Sequence, residues 1–275
     1  MAHLWMGVDM RRIPLCVLLL IAIPVWAGPL EDGYAASRRG DHTAAVSLFK
    51  KAATQGDPFA QSILGQNYEF GYEVPQDYAE AAKWYSLAAA QGDALSQYGL
   101  GGMYYNGRGV PQDYAQAVKW CRLAAAQGHS MAQVDLGAMY ADGKGVPQDY
   151  AEAVKWYRLA AAQGDASAQY NLGVMYSKGQ GVPQDYAEAV KWYRLAAAQG
   201  DAEAQFNLGA MYGKGQGVLE DYVRAHVWSN LAAVSGHAHA LKNRDTIASV
   251  MTPAQIAEAQ KIARECQARK FKNCD

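Results

Sequence analysis

Gly56, Gly92, Gly128, Gly164, Gly200 and Gly236 stand thirty-six residues apart, and no insertion breaks the count. A fixed period of this length means one supersecondary unit written repeatedly, each copy stacking on the next to bury a face it cannot bury alone. The same step carries Trp84 to Trp120, Trp156, Trp192 and Trp228, and Asp77-Tyr78 to Asp113-Tyr114, Asp149-Tyr150, Asp185-Tyr186 and Asp221-Tyr222. The passage from Gly145 to Asp165 returns letter for letter from Gly181 to Asp201. This ruler divides the chain into five full units over 57–92, 93–128, 129–164, 165–200 and 201–236. A capping half-repeat precedes them over 28–56, with Asp41-His42 in the Asp-Tyr place and Leu48 in that of the tryptophan, and capping helices with a tail follow over 237–275.

Each unit reads as two helices. Ala168, Leu172, Met175 and Tyr176 fall on one helical stripe, Gly179 is placed to end that helix in a left-handed conformation, and Val182-Pro183 then forces an extended segment. Asp185 with Glu188 predicts a capping box at the start of the second helix, repeated at Asp77/Glu80, Asp113/Gln116 and Asp149/Glu152 but not at Asp221/Arg224. Ala187, Ala189, Trp192, Leu195 and Ala196 are the expected packing face of that second helix, the indole filling the gap between closely approaching backbones. No segment alternates in the manner of a strand. Ala238 to Val250 and a helix opened by Thr252-Pro253 complete the expected C-terminal cap.

The pattern A-x-x-x-L-G-x-M-Y-x-x-G-x-G-V-P-Q-D-Y-x-x-A-x-x-W-Y-x-x-A-A-x-Q-G resembles the Sel1-like repeat, a relative of the tetratricopeptide repeat with a longer inter-helix loop. Local departures are Glu73 for the second loop glycine, Leu219 for the proline and Asn67 for the methionine. The resemblance implies an all-α, right-handed superhelical solenoid of antiparallel helix pairs. It also implies a role as adaptor or scaffold rather than a particular substrate.

Half the chain is apolar and the formal charge is −1, so nothing in the total recommends nucleic acid or an anionic membrane as partner. Arg11-Arg12, the apolar run from Ile13 to Ile23 and the small residues before Gly28 read as a signal peptide over 1–27. The run is too short for a membrane span, so an exported chain, periplasmic or secreted, is expected with no span after cleavage. Export leaves an odd set of cysteines: Cys266 and Cys274 are spaced for a bridge that pins the tail, while Cys121 stands where other units carry Tyr85, Tyr157 and Tyr193 and reads as a small buried apolar residue.

Catalytic constellations are sparse. Ser47 and Lys50 spell S-x-x-K, the nucleophile motif of penicillin-recognising enzymes, but its companions S-D-N and K-T-G are missing. His226, His237 and His239 cluster without an i, i+4 pair, which argues against a metal site, and the loop glycines lack the G-K-[ST] of a phosphate loop. No cofactor, metal or catalytic residue is therefore expected. A cell-wall-related enzyme or β-lactam binder, or a secreted host-interaction factor, is the alternative to a scaffold.

Positions that differ from copy to copy are the ones free to specialise. In the tetratricopeptide relatives the first helix of each pair lines the concave groove, and its groove-facing positions map here onto variable residues. The candidates for holding a protein or peptide partner are Phe59, Phe70, Leu95, Tyr98, Tyr105, Asn106, Met131, Val134, Tyr170, Lys178, Phe206 and Lys214. Their aromatic members would form a track for apolar side chains, with Asn and Lys available to backbone or carboxylate groups.

Overall fold

The computed structural model describes residues 28–272 and Cys274, and among them the chain forms fourteen helices and no strand. They are α1 (Pro29–Arg38), α2 (His42–Thr54), α3 (Pro58–Phe70), α4 (Tyr78–Ala90), α5 (Ala94–Asn106), α6 (Tyr114–Ala126) and α7 (Ser130–Asp142). There follow α8 (Tyr150–Ala162), α9 (Ala166–Lys178), α10 (Tyr186–Ala197), α11 (Ala202–Lys214), α12 (Tyr222–Val234), α13 (Ala240–Ala248) and α14 (Pro253–Ala268). The signal peptide expected over 1–27 lies outside the described residues. Neighbours in sequence pack as neighbours in space from α1 to α13, and α14 returns onto α12, giving an α solenoid of helix pairs. Successive first helices, α3 with α5 and α9 with α11, also touch one another, which places them on the inner side of the curve.

The turns follow from glycine and aspartate chemistry. Asp165 accepts the amide of Ala168 to open α9, and Gly179, at φ 67°, closes it. The second loop glycine has a further reason to be there. Gly145 sits at φ 72°, and a Cβ on it would stand 2.2 Å from the carbonyl oxygen of Tyr114 at the start of the preceding second helix. Glu73 replaces that glycine at φ 59°, and its carboxylate meets Ser37 Oγ at 3.2 Å and His42 Nδ1 at 2.6 Å, beside the short turn between α1 and α2.

Two sequence expectations are corrected. The capping boxes of the second helices are half-boxes: Asp149 accepts from the amides of Ala151 and Glu152, but its own amide donates to the Tyr140 carbonyl at 2.9 Å. Glu152 has no donor left to reach and pairs instead with Lys155. Only Thr252 and Gln255, at α14, form the reciprocal box among the described residues. The packing face of the second helix is rotated by about one residue from the expected stripe. Ala189, Val190, Tyr193, Ala196 and Ala197 are buried, whereas Ala187 and Leu195 are exposed and Trp192 is half-buried.

In α8 and α10 the tyrosine does the work expected of the tryptophan, whereas Trp84 and Trp228 are themselves buried, as expected. The rings of Tyr85, Tyr157 and Tyr193 lie against Gly65, Gly137 and Gly173, so close that a Cβ there would approach to 2.4, 2.7 and 2.5 Å. Each ring thus passes from the second helix between first helices, and burying it is worth roughly 2–3 kcal/mol. A second device joins the units. Gln133, 4% exposed, donates to the Ala125 carbonyl at 3.0 Å and accepts from Gln163 at 2.8 Å. Gln61 with Gln91 and Gln97 with Gln127 repeat the pairing at 2.8 Å.

At the C-terminal end Cys266 and Cys274 form a disulfide that folds the tail back, and the Phe271 ring comes within about 3.2 Å of the Cβ position on Gly200. Cys121 is a free, buried thiol.

Candidate functional site

The inner face carries a cavity of ≈ 550 Å³ spanning α3, α5 and α7. It gathers six of the sequence candidates: Phe70, Leu95, Tyr98, Tyr105, Asn106 and Met131. Phe70, Leu95 and Met131 are exposed at its rim, and Tyr98 is half-buried in its wall with its ring stacked on His129 at 4.6 Å. Tyr105 accepts a hydrogen bond from Lys144 Nζ at 2.8 Å, tying the α5 end of the cavity to the loop after α7.

The other six candidates are not brought into it. Phe59 is exposed on α3 away from the lining. Val134 packs against the cluster around Tyr157 and Leu172, and Tyr170 packs against Tyr193 with ring centroids 6.0 Å apart. Phe206 stacks on His237 at 4.0 Å. Lys178 and Lys214 are exposed in the last turns of α9 and α11, beside the negative ends of those helix dipoles. The continuous aromatic track expected from sequence is therefore interrupted. Val134 breaks the series of rings at the 98, 134, 170, 206 position, Tyr170 packs on Tyr193, and Tyr98 and Phe206 each stack on a following histidine.

Two carboxylates complete the cavity: Glu69, a variable groove-facing position of the first unit, and Asp135, which the sequence pattern did not single out. Glu69 accepts the Tyr85 hydroxyl at 2.7 Å, and Asp135 accepts that of Tyr98. Asp135 is open to solvent yet crowded by the inner face, and this crowding raises its carboxyl above the usual range, partly offset by the Tyr98 hydrogen bond. Burial lowers the neighbouring His129, favouring its neutral form. Burial likewise pushes the Cys121 thiol up to about 12, so it is a protonated, apolar patch rather than a nucleophile. Arg108 lies over the Tyr78 ring, 5.6 Å from its centroid.

The residues considered for chemistry are placed apart from this cavity. Ser47 is exposed on α2, and Lys50 lies over the Tyr68 ring at 5.6 Å. His226 is buried in α12, while His237 stands 3.4 Å from Glu203. Among the described residues no helix is long and apolar enough to cross a membrane.

The fold defines the class first: an α solenoid of helix-hairpin repeats. The family model of the Sel1 repeat matches residues 30–57, 58–93, 94–129, 130–165, 166–201 and 202–237, and the chain belongs to the Sel1 repeat family. The first match falls on the α1/α2 pair, which has the two helices without the long loop. One solved relative is c5321, "a protective antigen present in uropathogenic Escherichia coli strains displaying an SLR fold", at 38% identity and a TM-score of 0.78. That match covers 90% of this chain and 54% of that one, so the chain spans about half the length of the E. coli protein. A Sel1 repeat protein from Oxalobacter formigenes is 32% identical with a TM-score of 0.75, covering 86% of this chain and 99% of that one. A comparison with curated proteins gave no match. Sel1 repeats generally mediate interactions between proteins, and the family is generally non-catalytic.

Proposed function

We propose that this chain is an exported, non-catalytic scaffold, acting in the periplasm, which holds a peptide segment or helix of a partner protein on its inner face. The observation that carries the reading is the ≈ 550 Å³ cavity across α3, α5 and α7, rimmed by the exposed Leu95 and Met131. An apolar concavity with a few convergent polar groups is the usual form of a binding site. Export follows from the sequence of residues 1–27 and is tested by fractionating cells that express the tagged full-length chain. Recovery of a mature, shortened chain with the periplasmic contents supports it, and a full-length chain in the cytosol refutes it.

The binding assignment is tested by Leu95→Glu with Met131→Glu, two exposed positions whose change leaves the core intact. Partner capture from the native compartment should fall by more than about tenfold while helical content is unchanged, since a buried unpaired charge at an interface costs at least that factor. Equal capture by the double variant refutes the inner face as the docking surface.

A further inference from the structure

The cavity exists because three residues in one place depart from the text of their neighbours. Tyr85, Tyr157 and Tyr193 send a ring up between adjacent first helices, whereas the corresponding slot between α5 and α7 has only the Cys121 thiol at its floor. Gly102 stands where other units carry Gln66, Ala138, Val174 and Ala210, and a Cβ on it would meet nothing within 4 Å. Asp135 takes the place of Asn171 and Asn207. Asn207 hydrogen-bonds both Tyr170 and Tyr193, while Asp135, beside the slot that lacks a ring, has the hydroxyl of Tyr98. The slot is thus emptied of one aromatic ring and furnished with one carboxylate.

The charge on the walls has a sign. Glu69 and Asp135 flank the cavity and, among the described residues, neither forms an ion pair with a cation of the chain. Arg108, the cation in the lining, is drawn over Tyr78. Between the carboxylates lie apolar surfaces from Leu95, Tyr98, Met103 and Met139.

We infer that the slot over Cys121 is a specificity pocket for a partner segment that inserts one bulky apolar side chain, aromatic or long aliphatic, with a lysine or arginine beside it directed at Asp135 and Glu69. The apolar side chain takes the space of the missing tyrosine ring, and the cation supplies the counter-charge that Glu69 and Asp135, each hydrogen-bonded among the described residues only by a tyrosine hydroxyl, lack. A charge-assisted hydrogen bond in a crowded, partly desolvated groove is stronger than one in open solvent. The inference rests on the inner face being the docking surface and adds the chemistry of what docks.

The test is selection from a displayed library of random short peptides against the folded chain, followed by affinity measurement with the synthetic peptides selected. The wild-type chain should enrich peptides carrying a bulky apolar residue next to Lys or Arg. Cys121→Tyr, which restores the ring found in neighbouring slots, should bind those peptides at least about tenfold more weakly, because a filled pocket excludes the anchor side chain. Asp135→Asn, nearly isosteric, should lose about tenfold for the basic peptide and little for a variant with the cation replaced by Gln. Gly102→Val, which introduces the side chain that Val174 carries two units on, narrows the slot from the other side and gives an independent reading if Cys121→Tyr alters the circular dichroism spectrum. Enriched peptides that bind Cys121→Tyr and Gly102→Val as tightly as wild type would overturn the pocket while leaving the groove assignment standing. Enrichment of acidic peptides would overturn the charge assignment. A wild-type dimer in sedimentation that Cys121→Tyr dissociates would make a second copy the occupant and overturn the inference. Failure to enrich any peptide would refute the groove assignment itself, and the inference with it.

Discussion

Gln127 donates through Nε2 to Oε1 of Gln97 across 2.8 Å, and Gln97 in turn donates to the Ala89 carbonyl at 3.2 Å. One amide side chain therefore joins the end of the preceding second helix to the end of the following one. The middle of the array uses the same clasp at Gln133. Gln133→Leu should lower stability by about 1–3 kcal/mol, chiefly because the Ala125 carbonyl loses its partner in a buried place, while the Gln163 amide loses an acceptor nearer the surface. Gln163→Ala, at the exposed end of the clasp, should cost less. Urea unfolding of the two variants checks the order.

Gly145→Ala should be more damaging than its size suggests. The position has φ 72°, and the added Cβ would lie 2.2 Å from the Tyr114 carbonyl oxygen, so strain and collision act together. A loss of more than about 2 kcal/mol is expected. Gly164→Ala, at φ 89° with nothing within 4 Å of its Cβ, carries the backbone strain without the collision and should cost less. Thermal unfolding of the pair separates the two contributions.

Stability should fall as pH rises past about 9. The Cys121 thiol is pushed from 9.0 to about 12 and the Tyr193 phenol from 10.0 to about 12, both chiefly by burial. Between these values the unfolded chain has released protons that the folded chain still holds, so unfolding is favoured by increasing pH; below about 9 neither group contributes. Cys121→Ala should flatten the early part of this loss, measured as the denaturation midpoint from pH 8 to about 11. The same burial predicts that Ellman's reagent labels Cys121 slowly in the folded chain and rapidly after unfolding.

Reducing the Cys266–Cys274 disulfide should loosen the end of the solenoid rather than the array. The bridge closes a loop with a sequence separation of 8, for which the chain-entropy effect is about 2–3 kcal/mol. Phe271 then loses its hold near Gly200. Hydrogen exchange with and without reductant should show faster exchange in α14 and unchanged protection in α5 to α8.

The helix pairs, their caps and the stacking order were legible in the sequence because turn residues act locally: Asp165 and Gly179 need only their own neighbours. Packing faces were less legible. The stripe through Ala187, Trp192 and Leu195 and the one through Ala189, Tyr193 and Ala197 both satisfy helical spacing, and only the flanking glycines, Gly137 and Gly173, show that the tyrosine needs the room. The cavity was half legible. Comparing units exposed Tyr98 and Met131 as variable, but its emptiness arises where Cys121 on one helix, Gly102 on a second and Asp135 on a third meet, and no single helix records that meeting. Phe206 and Tyr170 are equivalent to Tyr98 by position, and Phe206 stacks on His237 as Tyr98 stacks on His129; what sets Tyr98 apart is the cavity it lines beside Cys121, where Tyr170 instead meets the Tyr193 ring.

The central claim is that the inner face around α5 and α7 holds the partner. Photo-crosslinking compares it directly with the outer face, using a photoreactive residue in place of Met131, 52% exposed on the inner side, or Leu159, 50% exposed on second helix α8. Equal exposure makes the two positions equally able to meet proteins by chance. A discrete crosslinked partner from Met131, suppressed by Cys121→Tyr and missing from Leu159, is the result expected. The same partner captured from Leu159, with Met131 silent, would contradict the account.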